Sequence, residues 1–409
     1  MSWNISKLGE ECEIFSGNSI NAKTKESLYT NVEGIPYIAT KDIDYDGKIN
    51  YLNGISIPEE DQKKYKKAKS ECVFICAEGG SAGRKIAFSD TECFFVNKLF
   101  CLESGSNLVP KYVYYYLKSE AFQIQFKNAL AGLIGGVSLT KIKLFDITYP
   151  SLLEQKQIVE KLDAAFADID KVISATEKNI ENAQSILKSY INEIIKYNDD
   201  TEVIELGTVI DTLTDYHANG SYKILKKHVA LKDDEDYAWM VRSTDFENNF
   251  QNDKKYITKS AYDFLKKSKI LGGELLMSKI GNAGKIYLMP KHNKPASLAM
   301  NMFLIRCDES TALNEYIFFC LSSYFGNQQI NDRLKGAATL TITKDSVRSI
   351  EIPLISIAEQ RITISKINAI RKKACAIEEI YRMKFKNLSA LKLSILSHAF
   401  QDELTKDSA

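Results

Sequence analysis

Two short glycine-centred stretches carry the residues best suited to chemistry in this chain. The first is Gly79-Gly80-Ser81-Ala82-Gly83-Arg84-Lys85, the second Lys279-Ile280-Gly281-Asn282-Ala283-Gly284-Lys285. Glycine lets a backbone come close to a phosphate and leaves N–H groups free to bind it. Arg84, Lys85, Lys279 and Lys285 flank these loops and can reach phosphate or the guanine edge, with Ser81 and Asn282 as short polar groups between them. Similar sets recur after apolar runs, at Thr40-Lys41-Asp42 and Arg242-Ser243-Thr244. Ser138, Thr140 and Lys141, and Thr339, Thr341, Thr343 and Lys344, add hydroxyls beside a basic group. Each alone reads as a surface turn; the set, at matching places in two copies, suits contact with DNA.

Motifs for bond-breaking chemistry are missing. The glycine spacing reads Gly-x-x-Gly, not the Gly-x4-Gly-Lys-Ser/Thr of a P-loop, and there is no His-Glu-x-x-His or nucleophile elbow. No two prolines are adjacent, so the Asn/Asp-Pro-Pro-aromatic loop of amino-methyltransferases is absent. Four His residues, His217, His228, His292 and His398, leave little for histidine-based catalysis. Asp146 followed by Glu154-Gln155-Lys156 fits the loose acid, Glu-x-Lys pattern of metal-dependent nucleases. The second copy has Ser349 and Arg361 there, and an acid at a helix start also favours the helix dipole. A nuclease is therefore a lesser alternative. Cys72, Cys76, Cys93 and Cys101 invite a zinc reading, but their spacings do not fit a metal knuckle, and they sit in apolar runs that predict core filling.

The recurrence has a simple origin: the chain is written twice. Lys7-Leu8-Gly9 returns as Glu205-Leu206-Gly207, PYIATKDID (36–44) as WMVRSTDFE (239–247), and FFVNKLFCL (94–102), read as a strand, as LAMNMFLI (298–305). PKYVYYYLKS (110–119), read as a helix whose aromatics pack in a core, returns as NEYIFFCLSS (314–323). The offset stays between 198 residues, from Gly9 to Gly207, and 205, from Glu154 to Glu359. Short β-type runs broken by Gly, Asn and Asp predict a mixed α/β (α+β), strand-rich domain in each copy.

After each copy comes a long helical stretch. Val159, Leu162, Phe166, Ile169, Ile173, Thr176, Ile180, Ala183, Leu187, Tyr190 and Ile194 alternate steps of three and four, a heptad seam within Glu154–Tyr197 with no Pro or Gly. The comparable stretch is Glu359–Phe400, whose wider stripe runs Ile364, Ile367, Ile370, Ala374, Ile377, Tyr381, Phe385, Leu388, Leu391, Ile395. An intramolecular coiled coil follows. The expected division is 1–150 and 201–352 for the domains, 151–200 and 353–409 for the helices. Val172, Ile186, Ile191 and Ile195 lie off the seam and are expected to face a partner.

Composition sets the remaining bounds. With 409 residues, 44% hydrophobic and 26% charged, the chain should hold at least two globular domains. Its start, MSWNISKLGEEC, has no basic-then-apolar signal pattern, and no apolar run reaches membrane-spanning length, so a cytoplasmic protein is expected. A net charge of +1 argues against a nonspecific polyanion binder but leaves local basic clusters free to act.

YPSLLEQKQIVEKLD and IPLISIAEQRITISKIN, the Pro-then-Glu-Gln openings of the two long helices, resemble those of the specificity (S) subunit of type I restriction-modification enzymes, the HsdS family. The Leu-Gly openings and glycine loops support the resemblance over essentially the whole chain. It implies two target recognition domains set in inverted orientation by an antiparallel coiled coil, each reading one half of a split DNA target. It implies two methyltransferase (M) subunits that carry S-adenosylmethionine, an optional restriction (R) subunit that uses ATP and Mg, and a non-catalytic chain with no cofactor of its own. An S subunit serving a fused restriction-methylation polypeptide, or a stand-alone copy from a shuffling locus, are alternatives within the same family. Glu154, Gln155, Glu359 and Gln360, at the domain–helix junctions, are candidates for shaping the M interface, with helix capping as the other reading. The second opening places Glu359 six residues after Pro353, against four from Pro150 to Glu154, which puts the local loop geometry in question.

If the seam sets the distance between the domains, removing one heptad, Ile173–Asn179, should shorten the gap between half-sites. Seven residues at about 1.5 Å amount to about 10 Å, or roughly three base pairs. The seam stays in phase, so the helices can still pair. Methylome sequencing should show a shorter gap between unchanged half-sites, or no activity where the rotation is not tolerated; full activity with the original gap would refute the ruler.

Overall fold

The computed structural model describes residues 3–131, 135–195, 201–251 and 253–401. Lys196 and Tyr197 of the expected central helix, and the chain from 402 onward, lie outside the described residues. Two compact units result: Met1–Glu177 with Arg382–Ala409, and Lys178–Tyr381. The division falls inside the two long helices, Leu152–Ile194 and Ile357–Gln401, so each unit takes one strand-rich domain and a part of both helices.

In the first unit an antiparallel sheet orders Cys12–Ser16, Leu99–Ser104, Cys72–Cys76 and Ile86–Ser89. A second sheet orders Ser56–Ile57, Ile35–Ile38, Cys93–Phe95 and Lys67–Ala68, with one parallel pair, Ile35–Ile38 beside Cys93–Phe95. A ribbon joins Asn4–Lys7 to Asp146–Tyr149. Cys72–Cys76 is buried at all five positions, as a strand covered on both faces should be. Val73 and Ile75 face the core that holds Tyr112, Val113 and Leu117; Cys72, Phe74 and Cys76 face the core that holds Cys93, Phe95 and Cys101. The clustered cysteines are thus core filling, and burial pushes the Cys93 and Cys101 thiols up.

The second unit repeats this topology strand for strand. Its antiparallel sheet orders Ile210–Asp215, Met302–Cys307, Leu275–Ser278 and Ile286–Leu288; its mixed sheet orders Lys255–Ile257, Ala238–Val241, Ala296–Leu298 and Lys269–Ile270. Val203–Glu205 and Glu351–Pro353 form the ribbon. One expectation needs correction. FFVNKLFCL is not one strand but two, in different sheets, with a corner at Asn97-Lys98. LAMNMFLI breaks alike at Met300-Asn301, where Asn301 takes φ +66°, a left-handed turn that asparagine tolerates.

The helix seam is as expected: all eleven of its residues are buried or half-buried. In the first unit Val159, Leu162 and Phe166 share a core with Ile395, Leu396 and Phe400, while Asp170 pairs with Lys392 farther along. The numbering rises on one helix as it falls on the other, so this pair is antiparallel. In the second unit Leu187, Tyr190 and Ile194 join Ile364 and Ile367. The C-terminal stripe departs from its pattern: Ile377, Phe385 and Leu391 are exposed, and Leu396 and Phe400 are buried in their stead. Ile191 and Ile195, expected to await a partner, are buried in the second core, whereas Ile186 is 63% exposed and Val172 half-buried.

Each long helix starts on a buried bracket. Gln155 accepts from Val109 N (2.8 Å) and donates to the carbonyls of Asn107 and Pro150 (both 2.9 Å). Gln360 does the same with Leu313 N, Thr311 O and Ile355 O, each at 2.9 Å. Both glutamines are fully buried, so their side chains hold their own unit together. Glu154 and Glu359 reach back to Ser151 (Oγ 2.6 Å) and Ser356 (Oγ 2.7 Å) in reciprocal capping pairs that hold both carboxyls below their usual range. The longer second opening is absorbed without change: Ile355 takes the place of Pro150. Among the described residues no helix is long and apolar enough to cross a membrane.

Replacing Gln155 by Leu would leave one buried N–H and two carbonyls without their partner. At about 1–3 kcal/mol for each buried group left unpaired, a loss of at least about 2 kcal/mol is expected. Urea unfolding should show a lower midpoint for Gln155→Leu and for Gln360→Leu, and a smaller change for Glu154→Ala.

Candidate nucleic-acid interface

The glycine stretches are the turns between adjacent strands of each antiparallel sheet. Cys76 N bonds Lys85 O (3.0 Å) and Gly83 N bonds Cys76 O (2.8 Å); Ser278, Lys285 and Gly284 repeat this at 2.9 and 2.8 Å. The left-handed glycines are Gly79 (φ +84°) and Gly83 (+71°) in one copy, Gly281 (+82°) and Gly284 (+83°) in the other. The first loop is therefore one residue longer than Gly-x-x-Gly. A Cβ on Gly83 would lie 2.5 Å from the Phe126 ring, and one on Gly284 2.3 Å from Ile330, so these glycines anchor the turn on a helix. Around Gly79 and Gly281 there is open space.

Each turn is joined at its root by the hydroxyl-rich segment. Val137 N bonds Ala77 O (2.9 Å), Gly79 N bonds Gly135 O (2.9 Å), and Ile342 N bonds Lys279 O (3.1 Å). Ser138 and Thr343 cap the short helices Leu139–Lys143 and Lys344–Arg348. Thr140 meets the Ser138 hydroxyl (3.0 Å), Lys141 donates to Ala129 O (3.2 Å), and Thr341 to Lys335 O (3.2 Å).

In the first unit the expected residues gather on one that sequence reasoning missed, Tyr45. Its ring is 4.9 Å from the Arg84 guanidinium and 5.3 Å from Lys85, and its hydroxyl 3.4 Å from Ser81 Oγ. The Ser81 contact, then Arg84, hold that hydroxyl below its ordinary range. Lys85 donates to Thr40 O (2.9 Å), which draws the Thr40–Asp42 turn to the loop; Lys41 is exposed. Tyr45 is 55% exposed. The signal was an aromatic within Asp44-Tyr45-Asp46-Gly47, two residues beyond Thr40-Lys41. Its turn is clamped from below by Lys118, which donates to Asp46 O (3.0 Å) and Tyr114 Oη (2.5 Å); burial pulls the Lys118 ammonium down to about 8.

The second unit arranges its bases around carboxylates. Lys285 (3.1 Å), Asn282 (3.2 Å) and the Tyr287 hydroxyl (3.4 Å) all reach Glu247 Oε1. The Lys285 hydrogen bond holds the Glu247 carboxyl below its usual range. Lys279 (2.5 Å) and Lys344 (3.8 Å) meet on Asp215. Burial raises that carboxyl, but the two lysines outweigh it and leave it lowered. Arg242 pairs with buried Asp245 (2.8 Å) and caps the short helix Ser243–Glu247 that carries Glu247. Glu247 and Asp215 were also missed, since a single acid closing a short helix or a strand gives no signal.

The nuclease pattern does not assemble. Asp146 pairs with Lys7 (2.5 Å) and Glu154 caps with Ser151. Among the described residues no three His, Cys, Asp or Glu side chains come together to hold a metal. What surrounds the glycine turns is a set of donors, one exposed aromatic and two paired carboxylates.

The type I restriction modification DNA specificity domain family matches residues 1–182 and again 198–383. The chain is 22% identical to the StySPI specificity subunit of Salmonella potsdam, covering 94% of this chain and 86% of that one. It is also 22% identical to the EcoKI specificity subunit of Escherichia coli K12, covering 98% and 89%. Among solved structures, one on complex assembly and conformational transition of the type I R-M system has a similar fold, with TM-score 0.72 and 16% identity over 98% of this chain and 97% of that one. Two strand-rich domains of one topology, each matching a DNA specificity domain, place this chain in the type I restriction modification DNA specificity family, as a protein that recognises DNA through two domains.

Proposed function

We propose that this chain is the non-catalytic reader of a type I restriction-modification complex. Each domain binds one half of a split duplex target, with its glycine turn at the DNA. Two methyltransferase subunits, which hold S-adenosylmethionine, dock on the chain. A restriction subunit that uses ATP and Mg joins in the restricting form. All of this would take place in the cytoplasm. One observation carries the reading: equivalent glycine turns in both units are ringed by donors, at Ser81, Arg84 and Lys85 in one and Asn282, Lys279 and Lys285 in the other, with Lys85 drawing the Thr40 turn alongside. The paired names of the relatives, specificity subunits of type I restriction enzymes, support it.

Phosphate and base contacts have different signatures. A phosphate contact weakens all sequences alike, whereas a base-reading Arg contributes roughly 1–3 kcal/mol of discrimination at one position. Co-expressed with its methyltransferase partner in a methylation-free host, the native chain should give one bipartite motif by methylome sequencing. Arg84→Ala with Lys85→Ala should relax or weaken one half-site and leave the preference at the other intact. Unchanged rate and unchanged motif would remove the glycine turn from the DNA.

A further inference from the structure

The two units use one acidic position in opposite ways. Asp44 and Glu247 each stand two residues past a buried capping acid, Asp42 and Asp245. Asp44 turns into its own loop, where Oδ1 accepts from Asp46 N (3.0 Å) and Lys48 N (2.8 Å). That leaves Arg84 with no carboxylate among the described residues; it lies on the Tyr45 ring and donates to Gly80 O (3.3 Å). Glu247 reaches the glycine turn instead. Its Oε1 takes all three donors, Asn282, Lys285 and Tyr287, while among the described residues Oε2 accepts no hydrogen bond. The side chain keeps 35% of its surface open.

An acid held there is at odds with phosphate, which repels it. Once a duplex covers the turn, the lone pairs on Oε2 lose water and need a donor, or their desolvation goes uncompensated. Phosphates have none. In the major groove the donors are the exocyclic amino groups of cytosine and adenine. Three bonds to Oε1 fix the carboxylate plane before binding, which suits a single directed contact. In the first unit the same reasoning runs the other way: a guanidinium with no carboxylate partner among the described residues offers its remaining donors beside the turn, which the O6 and N7 edge of guanine accepts.

Resting on the DNA-reading role, we propose that the two domains read opposite hydrogen-bond polarity: Arg84 presents donors to a guanine in one half-site, and Glu247 presents Oε2 as the acceptor for an amino group of cytosine or adenine in the other.

The test uses the full chain with its methyltransferase partner. Duplexes selected from a randomised pool define the two half-sites. Within each half-site, single amino groups are then deleted, with purine for adenine or 2-pyrimidinone for cytosine. One such deletion should weaken native binding by about 10-fold, in the range of a single base contact. The same deletion should have no effect on Glu247→Ala, and other deletions should act on both proteins alike. Because Glu247→Ala also releases Lys285, Lys285→Met is the second variant; it keeps Glu247 with Asn282 and Tyr287 and should retain the sensitivity. A native complex that selects no bipartite sequence would overturn the DNA-reading role itself. If it selects one, and Glu247→Ala responds to every deletion as the native chain does, or Lys285→Met alone loses the sensitivity, the assignment of Glu247 falls and the reading role stands.

Discussion

A buried amide must have its hydrogen-bonding positions filled, and each unit is arranged to fill those of one glutamine. Gln155 ties the start of the central helix to the chain just before the Pro110–Lys118 helix, and Gln360 repeats the tie before Asn314–Ser322. Around these brackets the same logic recurs. Gln125 accepts from Asp146 N (2.8 Å), and Gln329 from Glu351 N (2.9 Å), which holds the closing ribbon against the helices Glu120–Ala129 and Tyr324–Asp332. Tyr112 and Tyr316 donate to Thr148 O and Pro353 O in the same ribbons. A side chain that satisfies backbone groups from separate segments fixes their geometry more narrowly than apolar contact does, because a half-satisfied amide is costly in the interior. The sheets, and so the glycine turns at their ends, inherit their positions from these ties.

What the sequence made legible were patterns with a period. The heptad seam appears as a run of buried and half-buried residues, and the repeat as two sheets of identical strand order. The apolar runs around the cysteines were legible as core for the same reason. What was not legible depended on single residues acting at long range. Asn97 and Asn301 break what looked like one strand, since hydropathy does not change across a corner between two buried strands. Gln155 and Gln360 each stand between an acid and a base at a helix start, and nothing in their spacing says that they turn inward. Tyr45, Asp215 and Glu247 are brought to the basic residues by turns far away in the chain.

The charge pattern gives a reason for a binder of DNA to carry so little net charge. A formal charge of +1 leaves scant general attraction for a polyanion. In the second unit even the site bases are paired, on Glu247 and Asp215. Such pairs hold long, flexible side chains in one orientation, so less freedom is lost on binding. In the proposed complex with DNA they would also lower affinity for the backbone of any sequence, leaving more of the discrimination to the bases.

The glycine turns show how one framework can be held firmly while leaving room for difference. One glycine in each turn is locked by contact, Gly83 on Phe126 and Gly284 on Ile330, and a side chain there would collide with a helix of the domain core. The other, Gly79 or Gly281, meets open space and is required only by its backbone angle. Between them one copy has Gly80-Ser81-Ala82 and the other Asn282-Ala283, sharing only the alanine, yet the strand hydrogen bonds below, Cys76 to Lys85 and Ser278 to Lys285, are the same. The turn is fixed where it joins the core and free where it opens to solvent. Tyr45 with Arg84 in one unit, and Glu247 with Lys285 in the other, are then different solutions mounted on one rigid base, reached by short loops from the neighbouring sheet. Those few residues can change without disturbing the buried ties that hold the domains to their helices.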